Sequence, residues 1–364
     1  MLQTFFVYLT LYIGLLIFAK YIIKNTNKVN VPLYLSILFF STIVGMRWMV
    51  GVDYPGYYAF VMGYMDDIGI ERMEFFPRII AEYIRNNNIP FYFWFIIMPL
   101  IQFFFLTKTF LDDKKFLLGW AFYLFLALFL GFSLNGIRQA VAIFVIFYSY
   151  RFICTKNIFK YILFVFIASL FHRSALLCLP LYLFAKLEKI LDVKVQLLIF
   201  FTLLILGESL YSFVVSLFAG FAVDLQYESQ FEKMQDGVAR SQEGSGLGII
   251  YNCFRYFILI VYSKVLSAKY PKINFHIFYN FLFIGICMYL ICKHDIYFGR
   301  LALYFSVCEL VVLSLYYYNS FYKISKISLH TIIALIIIFI QLIIILNSII
   351  TGENWTFVWE VGKL

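Results

Sequence analysis

Charge is what this sequence has least of. Only 13% of its 364 residues are Asp, Glu, Lys or Arg, while 63% are hydrophobic; an ordinary globular domain carries about a quarter charged residues. So much apolar surface has no interior large enough to hide it, which excludes a soluble globular protein and calls for a polytopic membrane protein. The formal charge of +9 does not collect into a nucleic-acid-binding face. It is divided among short connections between apolar runs, as positive-inside topology requires.

Other absences narrow the chemistry. Six cysteines (154, 178, 253, 287, 292, 308) form no CxxC pair and no ligand spacing, so they read as small apolar residues in or beside spans. Cys253 and Cys292 fall near the same outer surface in the predicted topology, which allows a disulfide between them. Only four histidines occur (172, 276, 294, 330), none spaced to share an ion, so no metal is expected and no cofactor is implied. GxSxG, HExxH and GxxxxGK[ST] are missing. No internal repeat of the transporter kind is visible. The first apolar segment lacks a basic stretch ahead of it and a small-residue cleavage site, and reads as a retained span.

What is present is a series of apolar segments. With about 20 residues needed per crossing, the predicted spans are 2–22, 31–50, 91–111, 116–133, 136–153, 158–171, 174–187, 195–218, 247–266, 273–292, 300–319 and 328–350. The expectation is one all-α integral membrane domain of about twelve helices over 1–364. The segments 158–171 and 174–187 are short, and read either as two helices meeting at His172-Arg173 or as one broken helix. An outer loop over 45–90 contains an amphipathic interfacial helix, Glu74 to Arg85. A polar stretch over 219–247 reads as a mobile outer loop.

Charge orients this scheme. Seventeen basic residues fall in the odd-numbered connections, and sixteen of them are lysine; the twelve on the opposite side are nine arginines and three lysines. The lysine side is cytoplasmic by the positive-inside rule, which puts both termini outside. Topology alone asks for positive charge of either kind. Arginine adds a planar fork that grips phosphate or carboxylate with two bonds, so the outer arginines point to an anionic ligand there, with helix capping and pairing to outer acids as the competing use.

Three polar interruptions stand out: Met46–Tyr58 (MRWMVGVDYPGYY), Ser133–Gln139 (SLNGIRQ) and Phe171–Ser174 (FHRS). They are expected to open on one membrane face as one anionic-lipid site, because ionisable groups near lipid are costly and usually functional. The outer constellation is Arg47 and Asp53; Glu74 and Arg78; Asn135, Arg138 and Gln139; His172 and Arg173; His294, Asp295, Tyr297 and Arg300. Arg138 begins a span, where the helix N-terminus also favours an anion. Asp53 and His172 are the two candidates for a base acting on a sugar hydroxyl.

In these residues the chain resembles the EpsG family of Wzy-type polysaccharide polymerases. The resemblance is carried by RWMVGVDYPGYY, Glu74-x-x-x-Arg78, NGIRQAVAIFVIFYSYRFI, IASLFHRSALLCLPLYLF and Tyr297-Phe-Gly-Arg300-x-x-x-Tyr304, closely over 45–187 and loosely over 295–320. It implies a GT-C-like membrane glycosyltransferase that polymerises undecaprenyl-diphosphate-linked oligosaccharide repeat units into O-antigen, capsule or exopolysaccharide on the outer face of the cytoplasmic (inner) membrane. A chain-length regulator protein is an expected partner; nucleic acid is not. Arg47, Arg138, Arg173 and Arg300 are expected on the diphosphate, and Tyr54, Glu74, Arg78, Asn135, Gln139 and Tyr297 on the rest of the substrate. Asp53 and His172 are expected at the chemistry. The alternatives are a flippase for the same glycan, which would carry charges through the depth of its bundle, and a glycan ligase, which differs in its acceptor.

Overall fold

The computed structural model describes residues 1–25, 30–65, 73–111, 114–186, 189–222, 246–293, 295–321, 328–351 and 355–361; for 114–116, 184–186, 214–222, 296–298, 351 and 361 it describes the backbone alone. In chain order the elements are α1 (Leu2–Lys24), α2 (Val31–Gly45), β1 (Arg47–Trp48), α3 (Tyr54–Met62), α4 (Phe75–Asn86), α5 (Tyr92–Phe110) and α6 (Lys114–Leu124). α6 runs on through a π-helical turn (Phe125–Phe129) into Leu130–Asn135. There follow α7 (Ile137–Cys154), α8 (Ile158–Ser169), a 3-10 helix (Arg173–Lys186), α9 (Val193–Ala222), α10 (Leu247–Lys269), α11 (Phe275–Cys292), α12 (Ile296–Ser306), α13 (Glu309–Phe321), α14 (Leu329–Thr351) and β2 (Thr356–Phe357).

The chain is an all-α, multi-pass membrane protein. Each of the twelve apolar segments read from the sequence is helical. Length and hydropathy qualify only eight of the described helices as spans, or nine if Gly299–Ser306 and Glu309–Phe321, bent by 49°, count as one. Val31–Gly45, Ile158–Ser169 and Arg173–Leu183 are apolar but shorter. The span expected over 31–50 ends at Gly45, because Met46 to Gly51 turns away to make β1 and the junction described below.

Two compact units divide the chain. The first comprises Met1–Leu183 and Tyr317–Leu364; the second comprises Phe184–Tyr316. In the first unit, Asn30 caps α2 by accepting a bond from the Leu33 N–H at 3.3 Å. Its other end, Gly45, lies so close to α5 that a Cβ there would sit 2.4–2.7 Å from Ile96 atoms, so only glycine permits that approach. β1 pairs antiparallel with β2, Arg47 opposite Phe357. Trp355 N–H donates to Thr4 Oγ1 at 2.9 Å, tying the far end of the chain to α1.

α8 and the 3-10 helix fold back on each other. The Tyr161 hydroxyl donates to the Cys178 carbonyl at 2.5 Å, and its ring meets that of Tyr182 at 5.7 Å. Those contacts hold the two segments side by side, so 158–183 is an antiparallel hairpin turning at His172 rather than one interrupted helix.

In the second unit, Arg255 of α10 and Glu309 at the start of α13 form an ion pair with side chains 5% and 3% exposed. Cys253 and Cys292 are both free thiols, so the disulfide that the sequence allowed is not formed. The polar stretch 219–247 and His294 lie largely or wholly outside the described residues.

Candidate functional site

The three polar interruptions converge in the first unit. Their frame is set by Arg47. Its guanidinium donates from Nε to the Val50 carbonyl (3.1 Å), from Nη1 to Val44 (2.7 Å) and from Nη2 to Leu134 (3.0 Å), and the side chain is completely buried. The rings of Tyr54 and Phe95 each lie with their centre 5.5 Å from the guanidinium carbon. Arg47 therefore fastens the end of α2 to the end of α6. This corrects its assignment to a substrate diphosphate, since each nitrogen donates to a carbonyl and no part of the side chain is exposed.

Tyr54 is corrected for the same reason. It is wholly buried, its hydroxyl donates to the Arg47 carbonyl at 3.0 Å, and its ring stacks on Phe95 at 4.3 Å. It shapes the turn from inside. Arg78 lies on α4, where Glu82 is within 3.9 Å and both side chains are more than a third exposed. Arg85, another outer arginine, donates to the Phe60 carbonyl at 2.7 Å and so caps the end of α3. Capping and pairing thus claim Arg47, Arg78 and Arg85.

Arg138 is different. It is the second residue of α7, its side chain is 21% exposed, and its Nη1 forms an ion pair with Glu74 Oε2. The other carboxylate oxygen, Oε1, accepts the backbone N–H of Arg173 at 3.3 Å. Glu74 is only 8% exposed and precedes α4. Two contacts hold it there. Phe76 N–H donates to Leu170 O at 3.1 Å, and the buried Trp94 indole donates to Pro77 O at 3.1 Å. The Tyr57 ring centre lies 5.8 Å from the Arg138 guanidinium carbon. One carboxylate is thus gripped by a guanidinium and by the first N–H of a helix, a donor set that also suits phosphate.

Beside this cradle, two buried polar atoms lack partners. Arg138 Nε has no acceptor and Asn135 Oδ1 has no donor. Asn135 Nδ2 donates to Gly131 O at 3.0 Å, which fixes the amide. Gly51, with φ +106°, presses against this junction: a Cβ there would stand 3.0 Å from both Asn135 Oδ1 and Leu134 O. Behind it, Ser133 Oγ accepts from Gln102 Nε2 (2.6 Å) and donates to Phe129 O (2.8 Å), tying down the π-helical turn. An unused donor and an unused acceptor three residues apart fit a ligand that brings both an anionic oxygen and a hydroxyl.

His172 is partly exposed at the hairpin turn, with Nδ1 2.7 Å from Ser174 Oγ. The exposed Arg173 follows it. Asp53 is half-buried just before α3, and Gln139 is buried on α7. Arg300 and Tyr297 belong to α12 of the second unit, and the Tyr297 side chain is outside the described ones. Among the described residues, no group of three or more His, Cys, Asp or Glu is placed to hold a metal ion. Tyr57 and Ser174 were not singled out from the sequence. Neither was Glu309, although a lone acid inside an apolar segment is a visible signal.

An apolar cavity of about 560 Å³ lies among Leu2, Phe6, Val7, Ile43 and Phe357. Phe357 is the strand partner of Arg47, so cavity and junction share one frame.

The family model of the EpsG family matches residues 30–358, nearly the whole chain. No curated protein and no solved structure matches the chain.

Proposed function

The chain belongs to the EpsG family, whose members are Wzy-like polymerases, and on that premise we propose that it joins undecaprenyl-diphosphate-linked oligosaccharide repeat units into a polysaccharide at the outer face of the cytoplasmic membrane, as a GT-C-like glycosyltransferase. The observation that carries this reading is the Arg138 cradle, with its unused donor at Nε and the unused acceptor at Asn135 Oδ1. A glycosyl diphosphate supplies both missing partners, oxygen anion and sugar hydroxyl.

In the reaction, the acceptor hydroxyl oxygen forms a new bond to the anomeric carbon of the donor glycan. The bond from that carbon to the diphosphate oxygen breaks, and the lipid diphosphate leaves with the electron pair. Arg138 and the Arg173 N–H stabilise the charge that builds on it. The hydroxyl proton passes to His172, whose ring is oriented by Ser174, or to Asp53. The apolar cavity beside Phe357 offers the polyprenyl chain a place out of water. Every residue used here lies in the first unit; Arg300 and Tyr297 lie in the second.

A lipid-linked-glycan flippase is the second reading, and one observation favours it: Arg255 and Glu309 form a buried ion pair between apolar helices of the second unit, where a transporter would carry charge. The test is the glycan ladder of a deletion strain complemented with wild type or with Arg138→Ala/Glu74→Gln. Single repeat units in the deletion, with a ladder restored by wild type alone, support the polymerase. Loss of even single units outside the membrane points to the flippase.

A further inference from the structure

Glu74 is the member of the cradle that a phosphate-binding reading leaves without a task. A site built for a diphosphate has no evident need of a carboxylate at its centre, because like charge repels the ligand. Yet Glu74 takes the positions that phosphate oxygens would take, Oε2 on Arg138 and Oε1 on the first N–H of the 3-10 helix. It fills them incompletely. The bond to the Arg173 N–H is long at 3.3 Å, and Arg138 Nε is buried with no acceptor. A carboxylate has two oxygens to offer, and a diphosphate has more.

Glu74 also has somewhere else to go. It stands at the N-cap of α4 with extended backbone (φ −68°, ψ 164°), and its side chain makes no capping bond. Arg78 lies four residues on, in the order that favours an acid-to-base pair along a helix. Its present neighbour Glu82 is at 3.9 Å on the exposed face, a weak tie.

We propose that Glu74 is a resident anion: it occupies the phosphate cradle while the site is empty, keeps Arg138 oriented and paired, and is displaced toward Arg78 when the diphosphate of a lipid-linked glycan enters. This rests on the polymerase reading. Glu74 is then a positioning residue that lowers affinity for diphosphate, and its return helps expel the lipid diphosphate left behind after transfer.

The experiment is pyrophosphate binding to the full-length protein in lipid nanodiscs, for wild type, Glu74→Gln, Glu74→Asp and Arg138→Ala/Glu74→Gln. Removing the competing charge should tighten pyrophosphate about tenfold in Glu74→Gln, equal to ~1.4 kcal/mol. Glu74→Asp, charged but too short to reach both donors, should fall between it and wild type, which keeps the test open if Glu74→Gln fails to fold. Equal or weaker binding by both single variants overturns the proposal and makes Glu74 an ordinary structural partner of Arg138. If the double variant binds as tightly as Glu74→Gln, Arg138 is not the phosphate ligand and the polymerase site itself is misplaced. No binding by any variant overturns both.

Discussion

Arg47 Nη2 donates to the carbonyl of Leu134, 87 residues further along the chain, at 3.0 Å and out of contact with solvent. That bond joins the turn after α2 to the turn before α7, and so fixes where Asn135 and Arg138 stand. Arg47→Ala leaves three buried carbonyls without a donor, at about 1–3 kcal/mol each. The expected outcome is a fall in thermal stability and in membrane protein level together with loss of polymer. Arg47→Lys restores neither fully, because one ammonium does not span three carbonyls. Normal stability in Arg47→Ala with polymer abolished would return Arg47 to the substrate.

Gly51 is the second fixed point of the junction. Its φ of +106° suits glycine, and a Cβ would meet Asn135 Oδ1 and Leu134 O at 3.0 Å. Gly51→Ala should cost about 1–3 kcal/mol in strain and shift Asn135. Polymer should drop much further than the melting temperature does, as read from the glycan ladder beside a thermal melt of purified protein. Wild-type polymer from Gly51→Ala would mean that Asn135 need not be held.

Arg138 carries both charge pairing and proposed catalysis, and two variants separate them. Arg138→Ala strands the buried Glu74 carboxylate and should lower protein level. Arg138→Ala/Glu74→Gln removes that stranded charge; protein level should recover while polymer stays about 10²–10³-fold down. Arg138→Lys should recover only part of the activity, since its point charge gives up the fork. Recovery of polymer in the double variant would show that Arg138 serves the fold alone.

The apolar segments were legible because hydropathy over about 20 residues is a strong signal, and the three polar interruptions were legible because polarity is rare here. The order of the site was not. Arg47 and Arg138 look alike in sequence, each two residues after a glycine at a polar break between apolar runs. Only the fold shows that one meets three carbonyls and the other a carboxylate. Helix ends were legible in part: the segment expected over 31–50 loses its last five residues to β1 and the junction, since backbone pairing with Phe357, far along the chain, leaves no local pattern. The hairpin at His172 depends on the Tyr161–Cys178 bond, which hydropathy does not report.

The buried pair of the second unit gives a stability test. Arg255 lies between the rings of Tyr251 and Tyr256, 4.8 and 5.2 Å from their centres, and its Nη2 donates to Glu309 Oε2 at 3.2 Å. Breaking such a pair costs about 3–5 kcal/mol, while replacing both partners with apolar residues is often neutral. Arg255→Met and Glu309→Leu alone should each lower thermal stability sharply, and together should recover most of it. If the recovered double variant still makes polymer, the pair serves the fold. If it is stable and exports no single-unit glycan, the flippase reading gains.

His172 and Asp53 compete for the role of base, and the geometry around each differs. His172 sits one residue before the N–H that completes the cradle, and Ser174 Oγ lies 2.7 Å from its Nδ1, which orients the ring. Asp53 stands at the start of α3, on the far side of Gly51 in the chain. His172→Gln should slow polymer formation by about 10²–10⁴-fold, the usual contribution of a positioned base, with pyrophosphate binding and protein level unchanged. Ser174→Ala should slow it less, about tenfold, by freeing the ring. Asp53→Asn should be the mildest of the three. The check is initial polymerisation rate in nanodiscs with lipid-linked repeat units. The opposite order, with Asp53→Asn the most severe and His172→Gln near wild type, would transfer the proton to Asp53 and leave His172 as the residue that turns the hairpin.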